Sequence, residues 1–157
     1  MPEASGGKSS GTFGKNMSPS ELRDYLRLHD SGDDVENPHD FDYRAAVQSV
    51  EGLKSACEAV LGHPVVVNTG FQDSSKLASI LSGLKPASLS ILEFSKFGKM
   101  FTIRPNSCDA TQTNVLADEI VSRGFTFISW DILREPYDGN IEWAEDWRWH
   151  NRFFDYL

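Results

Sequence analysis

The sequence has few of the residue patterns that reveal a protein's chemistry. Its 157 residues include only two cysteines, Cys57 and Cys108, and neither belongs to a C-x-x-C pair. Four histidines are present, but no two of them have the spacing of metal ligands. We therefore expect two free thiols, with a disulfide as the alternative, and we expect no metal and no other cofactor.

Long apolar runs and an export signal are also missing. No run approaches the ~18 apolar residues that a membrane span requires. The N-terminus has no basic segment followed by an apolar core. These absences predict a cytoplasmic protein without a membrane partner.

No catalytic or nucleotide-binding motif is recognisable. The sequence contains neither G-x-S-x-G nor S-x-x-K with its partner motifs. Gly6-Gly7-Lys8-Ser9 has only the end of a phosphate-binding loop, and no strand precedes it. An enzyme would therefore have to assemble a hydrolase-like site from residues far apart in the chain. The candidates are His63 or His150 with Glu93, Asp131 or Glu135.

The net charge of −8 is distributed unevenly along the chain. Ser18–Gly62 carries a net charge of −6 and Asp131–Leu157 one of −4, whereas the two other segments carry +1 each. Such a surface repels nucleic acid and anionic membranes, and it attracts basic proteins. The alternative interpretation is that the acidic surface only keeps the protein soluble.

The densest acidic stretch lies in the loop expected between the first two helices. It does not fit an EF-hand, because Gly32 is third from Asp30 and not sixth. A solvated connecting loop is one interpretation, and a docking surface for a basic partner is the other. The turn Glu135–Asn140, in the second acidic segment, is a further candidate contact. The predicted partner-binding residues are Asp30, Asp33, Asp34, Glu36, Asp40, Asp42, Tyr137 and Asp138.

Local signals predict four helices. Ser18, Pro19 and Glu21 have the spacing of a capping box and predict a helix that ends at about Asp30. The other predicted helices are Phe41–Leu61, capped by Asp40 and ended by Gly62, a helix from Asp109 or Thr111 to Gly124, and Ile141–Leu157.

Short runs of β-branched and aromatic residues predict the strands. Pro64–Asn68 and Phe125–Trp130 are predicted strands, and Ser88–Phe94 with Met100–Pro105 predict a hairpin. Asp73–Leu84 is ambiguous, and its leucine spacing favours a short helix over a strand.

The resulting order, α-α-β-(α)-β-β-α-β-α, predicts an α+β fold. It corresponds to a mainly antiparallel sheet of about four strands with helices packed on it. Residues 17–157 are predicted to form a single domain. Residues 1–16 are rich in Gly and Ser, and they are predicted to be a disordered tail.

Aromatic residues are concentrated in the predicted C-terminal helix. At 100° per residue, one stripe contains Trp143, Trp147, His150, Phe154 and Leu157. We expect this face to be part of the core, with Trp143, Trp147 and Phe154 buried. The alternative is a helix that presents its aromatic residues to a partner. Arg152 lies on the predicted polar side, where it could pair with Asp155, and Arg148 points away from the apolar face.

These observations favour a non-enzymatic acidic binding protein that docks a basic partner. An inhibitor or immunity-like protein is the concrete version, and the likeness is one of composition only: small, acidic and without a catalytic signature. The alternative is the small hydrolase-like enzyme described above.

Overall fold

The computed structural model describes residues 17–30, 34–71, 74–84 and 90–154. Within them the chain has the predicted α+β fold, with helices packed on a five-stranded sheet. The strands are β1 (Val65–Asn68), β2 (Lys76–Ser82), β3 (Ser90–Ser95), β4 (Met100–Ile103) and β5 (Thr126–Phe127). The helices are α1 (Pro19–Leu28), α2 (Tyr43–Glu51), α3 (Lys54–Leu61), α4 (Ala110–Val121), α5 (Trp130–Leu133) and α6 (Trp149–Phe153), with a 3-10 turn at Glu142–Ala144. The predicted tail, residues 1–16, lies outside the described residues.

The sheet follows the order of the chain. The first four strands form an antiparallel meander, and β5 pairs with β4 in parallel after the chain passes through α4. The predicted hairpin is confirmed by the pairing of β3 with β4, which places Phe94 opposite Phe101. The predicted strand Phe125–Trp130 is shortened to β5, because Ser129 caps the following helix α5.

The prediction of a helix over Asp73–Leu84 is wrong, because this segment contains the strand β2. It lies between β1 and β3, with Ile80 paired to Val67 on one side and to Leu92 on the other. The four residues 77–80 are all buried, so no alternation of apolar and polar residues marks the strand. A strand covered on both faces cannot be distinguished from a buried helix by periodicity alone.

The first helix begins as predicted. The Oγ of Ser18 accepts a hydrogen bond from the Glu21 amide at 3.1 Å, and the Ser18 amide donates to Glu21 Oε1 at 2.8 Å. This reciprocal pair satisfies two amides that the helix itself leaves unpaired.

The predicted helix Phe41–Leu61 is divided into α2 and α3. Asp40 has a φ of 58°, so Asp42 caps α2 in its place by accepting from the Ala45 amide. The break falls at Gly52, where glycine is about 1 kcal/mol less favourable than alanine in a helix. It turns the buried Leu53 towards the core, and Gly62, with a φ of 77°, ends α3 as predicted.

The single C-terminal helix Ile141–Leu157 is not formed. The 3-10 turn and α6 are separated by a segment that bonds back to the turn before it: the Tyr137 amide donates to the Trp147 carbonyl at 2.9 Å. This change of direction alters which aromatic rings face inward. Phe154 is buried as predicted, Trp147 is half-buried, and Trp143 is 68% exposed, contrary to the prediction. Leu157 lies outside the described residues.

Two hydrophobic clusters stabilise the fold. One lies where α2, α3 and α4 cover the sheet, and the other joins α1, α5 and α6 to the β3–β4 hairpin through Phe97 and Met100. Cys57 is buried and Cys108 is half-buried, and both thiols are free, as predicted. The helices of the described ranges are all too short or too polar to cross a membrane.

Candidate functional site

A buried ion pair organises the end of the molecule that carries the acidic loop. Arg152 on α6 is fully buried, and its Nε donates to Oδ1 of Asp30 at 2.7 Å. The other carboxylate oxygen of Asp30 accepts from the Tyr137 hydroxyl at 2.6 Å and from the Asn140 amide at 2.8 Å. Both oxygens are thus bonded, which offsets part of the cost of burying the charges.

The Arg152 guanidinium also holds the loop that follows Asp30. It donates to the carbonyls of Val35 at 3.3 Å and Asp34 at 3.5 Å. The Cζ atom of Arg152 lies over the rings of Phe97 and Phe153, at 4.6 and 4.7 Å from their centroids. One cation therefore connects the acidic loop, the β3–β4 hairpin and α6.

Tyr137 extends the ion pair into the turn 137–140. Its hydroxyl accepts from the Ile141 amide at 2.9 Å while it donates to Asp30. Burial, followed by the hydrogen bond to Asp30, raises the pKa of Tyr137 to about 12. The hydroxyl therefore stays protonated and joins the two acidic segments of the sequence.

Asp30 and Tyr137 are consequently not surface contacts. Both were predicted to bind a partner, but both side chains are buried and bonded to each other. They lie beneath the surface, where their hydrogen bonds to the amides of Asn140 and Ile141 hold the turn 137–140. Asp33 lies outside the described residues.

The other predicted residues lie at the surface, and several are held in place. Asp34, Asp40, Asp42 and Asp138 are exposed, and Glu36 is half-buried. We call these five residues the acidic face. Their role as partner contacts stays a prediction.

Besides Asp42, which caps α2, three carboxylates of this face have hydrogen-bond or ion-pair partners. Asp34 Oδ1 accepts from the amides of Glu36 and Asn37 at 2.8 and 3.0 Å, and these bonds lower the pKa of Asp34. Glu36 lies 3.8 Å from the buried Lys96 ammonium, and Asp138 pairs with Arg27 at 3.0 Å.

A concave cleft adjoins the acidic face. It has a volume of about 430 Å³ and is lined by Leu28, His29, Asp34, Asn37, Pro38, His39 and Phe97. Leu28 is 76% exposed, so an apolar side chain lies beside the carboxylates. Burial lowers the pKa of His29, which favours its neutral form. The cleft can accept a side chain with an apolar stem and a positive end.

One of the predicted histidine–carboxylate pairs is brought together elsewhere, on the sheet. His150 Nε2 lies 2.8 Å from Oε1 of the buried Glu93 in β3, and Arg104 lies 3.2 Å from Oε2. Trp130 contacts both residues: the Arg104 guanidinium is 4.5 Å from its ring centroid and the His150 ring is 5.0 Å from it. This group, the Glu93 cluster, connects α6 to the centre of the sheet.

The Glu93 carboxyl is held in its ionised form. Burial acts to raise its pKa, but the hydrogen bond to His150 and the charges of His150, Lys76 and Arg104 outweigh burial, and the net shift is downward. Such a carboxylate is suited to orienting an imidazole and not to donating a proton.

The other proposed catalytic residues are not joined to this cluster. Asp131 and Glu135 line a separate cleft of about 510 Å³, and both Glu135 oxygens accept from Arg23 at 2.7–2.8 Å. His63 contacts the Pro64 carbonyl in the turn between α3 and β1. Within the described ranges, no three His, Cys, Asp or Glu side chains are arranged to hold a metal ion.

Sequence reasoning missed Arg152, Leu28 and the exposure of Trp143. Arg152 was placed on a polar helix face, whereas α6 directs it into the interior, and its supposed partner Asp155 lies outside the described residues. The acidic excess located the surface carboxylates, but no sequence signal connects Asp30 to a residue 122 positions away.

Comparisons with protein-family models, with curated proteins and with solved structures found no match for this chain.

Proposed function

We propose that this chain is a non-enzymatic binding protein that docks a basic protein partner through the acidic face. An inhibitor or immunity-like protein is the concrete form of the proposal. The observation that carries it is the buried Asp30–Arg152 pair, which bonds to the backbone carbonyls of residues 34 and 35 and to the turn 137–140.

Preorganisation supports this function on physical grounds. A loop already ordered in the free protein loses less conformational entropy on binding than a mobile one. The carboxylate of Asp34 is positioned by two amides, and that of Asp42 by the start of α2. An ordered acidic surface on a chain of net charge −8 would also speed the encounter with a basic partner, most strongly at low salt.

The test is affinity capture with charge-neutralised baits. The first bait carries Asp34→Asn, Asp42→Asn and Asp138→Asn, in which each amide oxygen can still accept the local hydrogen bonds. The control bait carries Asp109→Asn, Glu51→Gln and Asp131→Asn, three exposed acids elsewhere on the surface. Each variant changes the net charge by the same amount, so the two baits differ only in where the charge is removed.

We expect the parent and the control bait to capture the same basic protein at low salt. We expect the first bait to lose it, and capture by the parent to fall at about 0.5 M salt, where the screening length is only ~4 Å. Equal capture by both variants would contradict the proposal, and so would the absence of any basic protein at low salt.

A second candidate, a small hydrolase-like enzyme, is favoured by the 2.8 Å contact of His150 with Glu93. An imidazole oriented by a carboxylate is a common general base. The test is the hydrolysis of a panel of activated esters and amides by the parent and by His150→Gln. An enzyme of this kind should show saturable turnover that His150→Gln abolishes. Turnover equal to background in the parent would contradict this candidate.

A further inference from the structure

An exposed tryptophan lies in the second acidic segment, five residues after Asp138 of the acidic face. Trp143 is 68% exposed in the 3-10 turn, although tryptophan is among the residues that proteins bury most extensively. The chain buries Ile141 and Ala144 on either side of it. Because residues three apart in a 3-10 helix lie on the same side, anchoring these two inward leaves Trp143 to project outward.

The exposed ring packs against other aromatic side chains. Trp143 packs edge-to-face against Trp147 at 5.2 Å, and Trp147 lies 6.2 Å from Tyr137. The Trp147 amide donates to the Ala144 carbonyl at 3.1 Å, which closes the turn. Trp143 is therefore the exposed end of a series of aromatic contacts that reaches Tyr137, which bonds to Asp30 of the buried ion pair.

Its surroundings are strongly acidic. Glu142, Glu145 and Asp146 are exposed and lie within three positions of Trp143. In the segment 137–148, four carboxylates stand against a single cation, Arg148. The face of an aromatic ring attracts a cation, and carboxylates near the ring can accept hydrogen bonds from the same cation.

We propose that Trp143 is the anchor residue of the docking surface and that it receives an arginine side chain of the basic partner. Arginine fits better than lysine, because its planar guanidinium stacks on an indole and still donates to neighbouring carboxylates. Tryptophan, tyrosine and arginine also dominate the binding energy of protein interfaces. This inference rests on the proposed function, since it concerns the same partner.

The experiment uses two capped peptides of equal charge, hexa-arginine and hexa-lysine, titrated into the full chain at low salt. Binding is followed by calorimetry and by tryptophan fluorescence. We expect hexa-arginine to bind more tightly than hexa-lysine. Trp143→Ala should weaken hexa-arginine binding about fivefold to tenfold, and Trp143→Phe by less, which is the range expected of a stacked cation.

Variants separate the two proposals from each other. The Asp34→Asn, Asp42→Asn, Asp138→Asn variant tests the acidic face, and Trp143→Ala tests the anchor. If Trp143→Ala binds both peptides as the parent does, the anchor is overturned while the acidic face still stands on its own capture test. An absence of arginine preference in the parent would overturn it as well.

Folding and self-association are controlled separately. Trp143 is mostly exposed, so Trp143→Ala should melt close to the parent temperature. Sedimentation of the parent without peptide tests the other occupant, a second copy of the chain. A dimer that Trp143→Ala converts to a monomer would overturn the proposal in favour of self-association.

Discussion

Two buried carboxylates attach the C-terminal helix α6 to the rest of the molecule, and they do so differently. Asp30 meets Arg152, and both are almost completely enclosed. Glu93 meets His150 and Arg104, whose side chains are 19% and 39% exposed. The first pair joins α6 to residues 34 and 35 of the acidic loop and to the turn 137–140, whereas the second lies on the sheet and is open to solvent at its edge.

The difference shows how the same chemistry serves distinct purposes. A fully enclosed pair cannot lose one partner without leaving a buried charge, so it fixes the loops in one arrangement. A partly open pair can recruit water when one partner changes, so it tolerates substitution and responds to pH. The predictions below test this contrast, from the largest expected effect to the smallest.

Removing α6 should break both pairs at once. Deletion of residues 149–157 removes Arg152 and His150 together with the buried Trp149, Phe153 and Phe154. Each buried aromatic alone is worth on the order of 3–5 kcal/mol when truncated, against a total stability of ~5–15 kcal/mol. We expect the truncated chain to lose cooperative thermal unfolding by circular dichroism. A cooperative transition near the parent temperature would show that neither pair is essential.

Breaking the enclosed pair alone should be the next largest effect. Arg152→Met leaves Asp30 charged and unpaired, and we expect about 3–5 kcal/mol of destabilisation by urea unfolding. The control, Arg148→Met, changes an exposed arginine on the same segment and should cost less than about 0.5 kcal/mol.

A double variant distinguishes the lost charge from the lost packing. Asp30→Asn with Arg152→Met removes both charges, and it should recover part of the stability lost in Arg152→Met. If Arg152→Met costs no more than Arg148→Met, the pair does not hold the loops and the support for the acidic face is lost.

Several local features of the fold could be predicted from the sequence. The capping box at Ser18, the hairpin and the αL end at Gly62 were predicted because each depends on residues close together in the chain. The surface carboxylates were found because their excess is a property of composition. These features depend either on residues close together in the chain or on the composition of a segment.

Features that depend on distant residues were missed. β2 has helical leucine spacing, and only its pairing with β1 and β3 makes it a strand. The aromatic stripe assumed one continuous helix, but the chain breaks between the 3-10 turn and α6, where the Tyr137 amide bonds to the Trp147 carbonyl, and Trp143 is exposed. Tertiary contacts of this kind override local propensity.

The open pair should respond to pH where its carboxylate titrates. Glu93 has a folded pKa below the ordinary glutamate value of about 4.3. Its contribution to stability is therefore complete above that value and is lost as the pH falls through the folded pKa. At pH 7 we expect Glu93→Gln to cost about 1–3 kcal/mol, because it removes bonds to charged groups.

The measurement is urea unfolding of the parent and of Glu93→Gln between pH 7 and pH 3. The difference in the free energy of unfolding between the parent and Glu93→Gln should become smaller as the pH falls. The reason is that the parent's carboxyl becomes protonated and then resembles the amide. Glu51→Gln, at an exposed position of α2, is the control and should show no such narrowing. A constant difference across this range would mean that the charge of Glu93 is not what stabilises the cluster.

The last comparison removes one hydroxyl next to each carboxylate, and the smallest effect should come from the one near Glu93. The Tyr137 hydroxyl has two partners, donating to Asp30 and accepting from the Ile141 amide. Thr102, opposite Glu93 in the sheet, is buried, and its Oγ1 has no hydrogen-bond partner within the described part of the chain. Tyr137→Phe should therefore cost about 1–3 kcal/mol, because it leaves a buried acceptor and a buried donor short of a bond.

Thr102→Val keeps the shape and removes an unpaired polar group, so we expect unchanged or slightly raised stability by urea unfolding. If the two substitutions cost the same, the enclosed and the open pair are satisfied to the same degree, and the contrast between them fails.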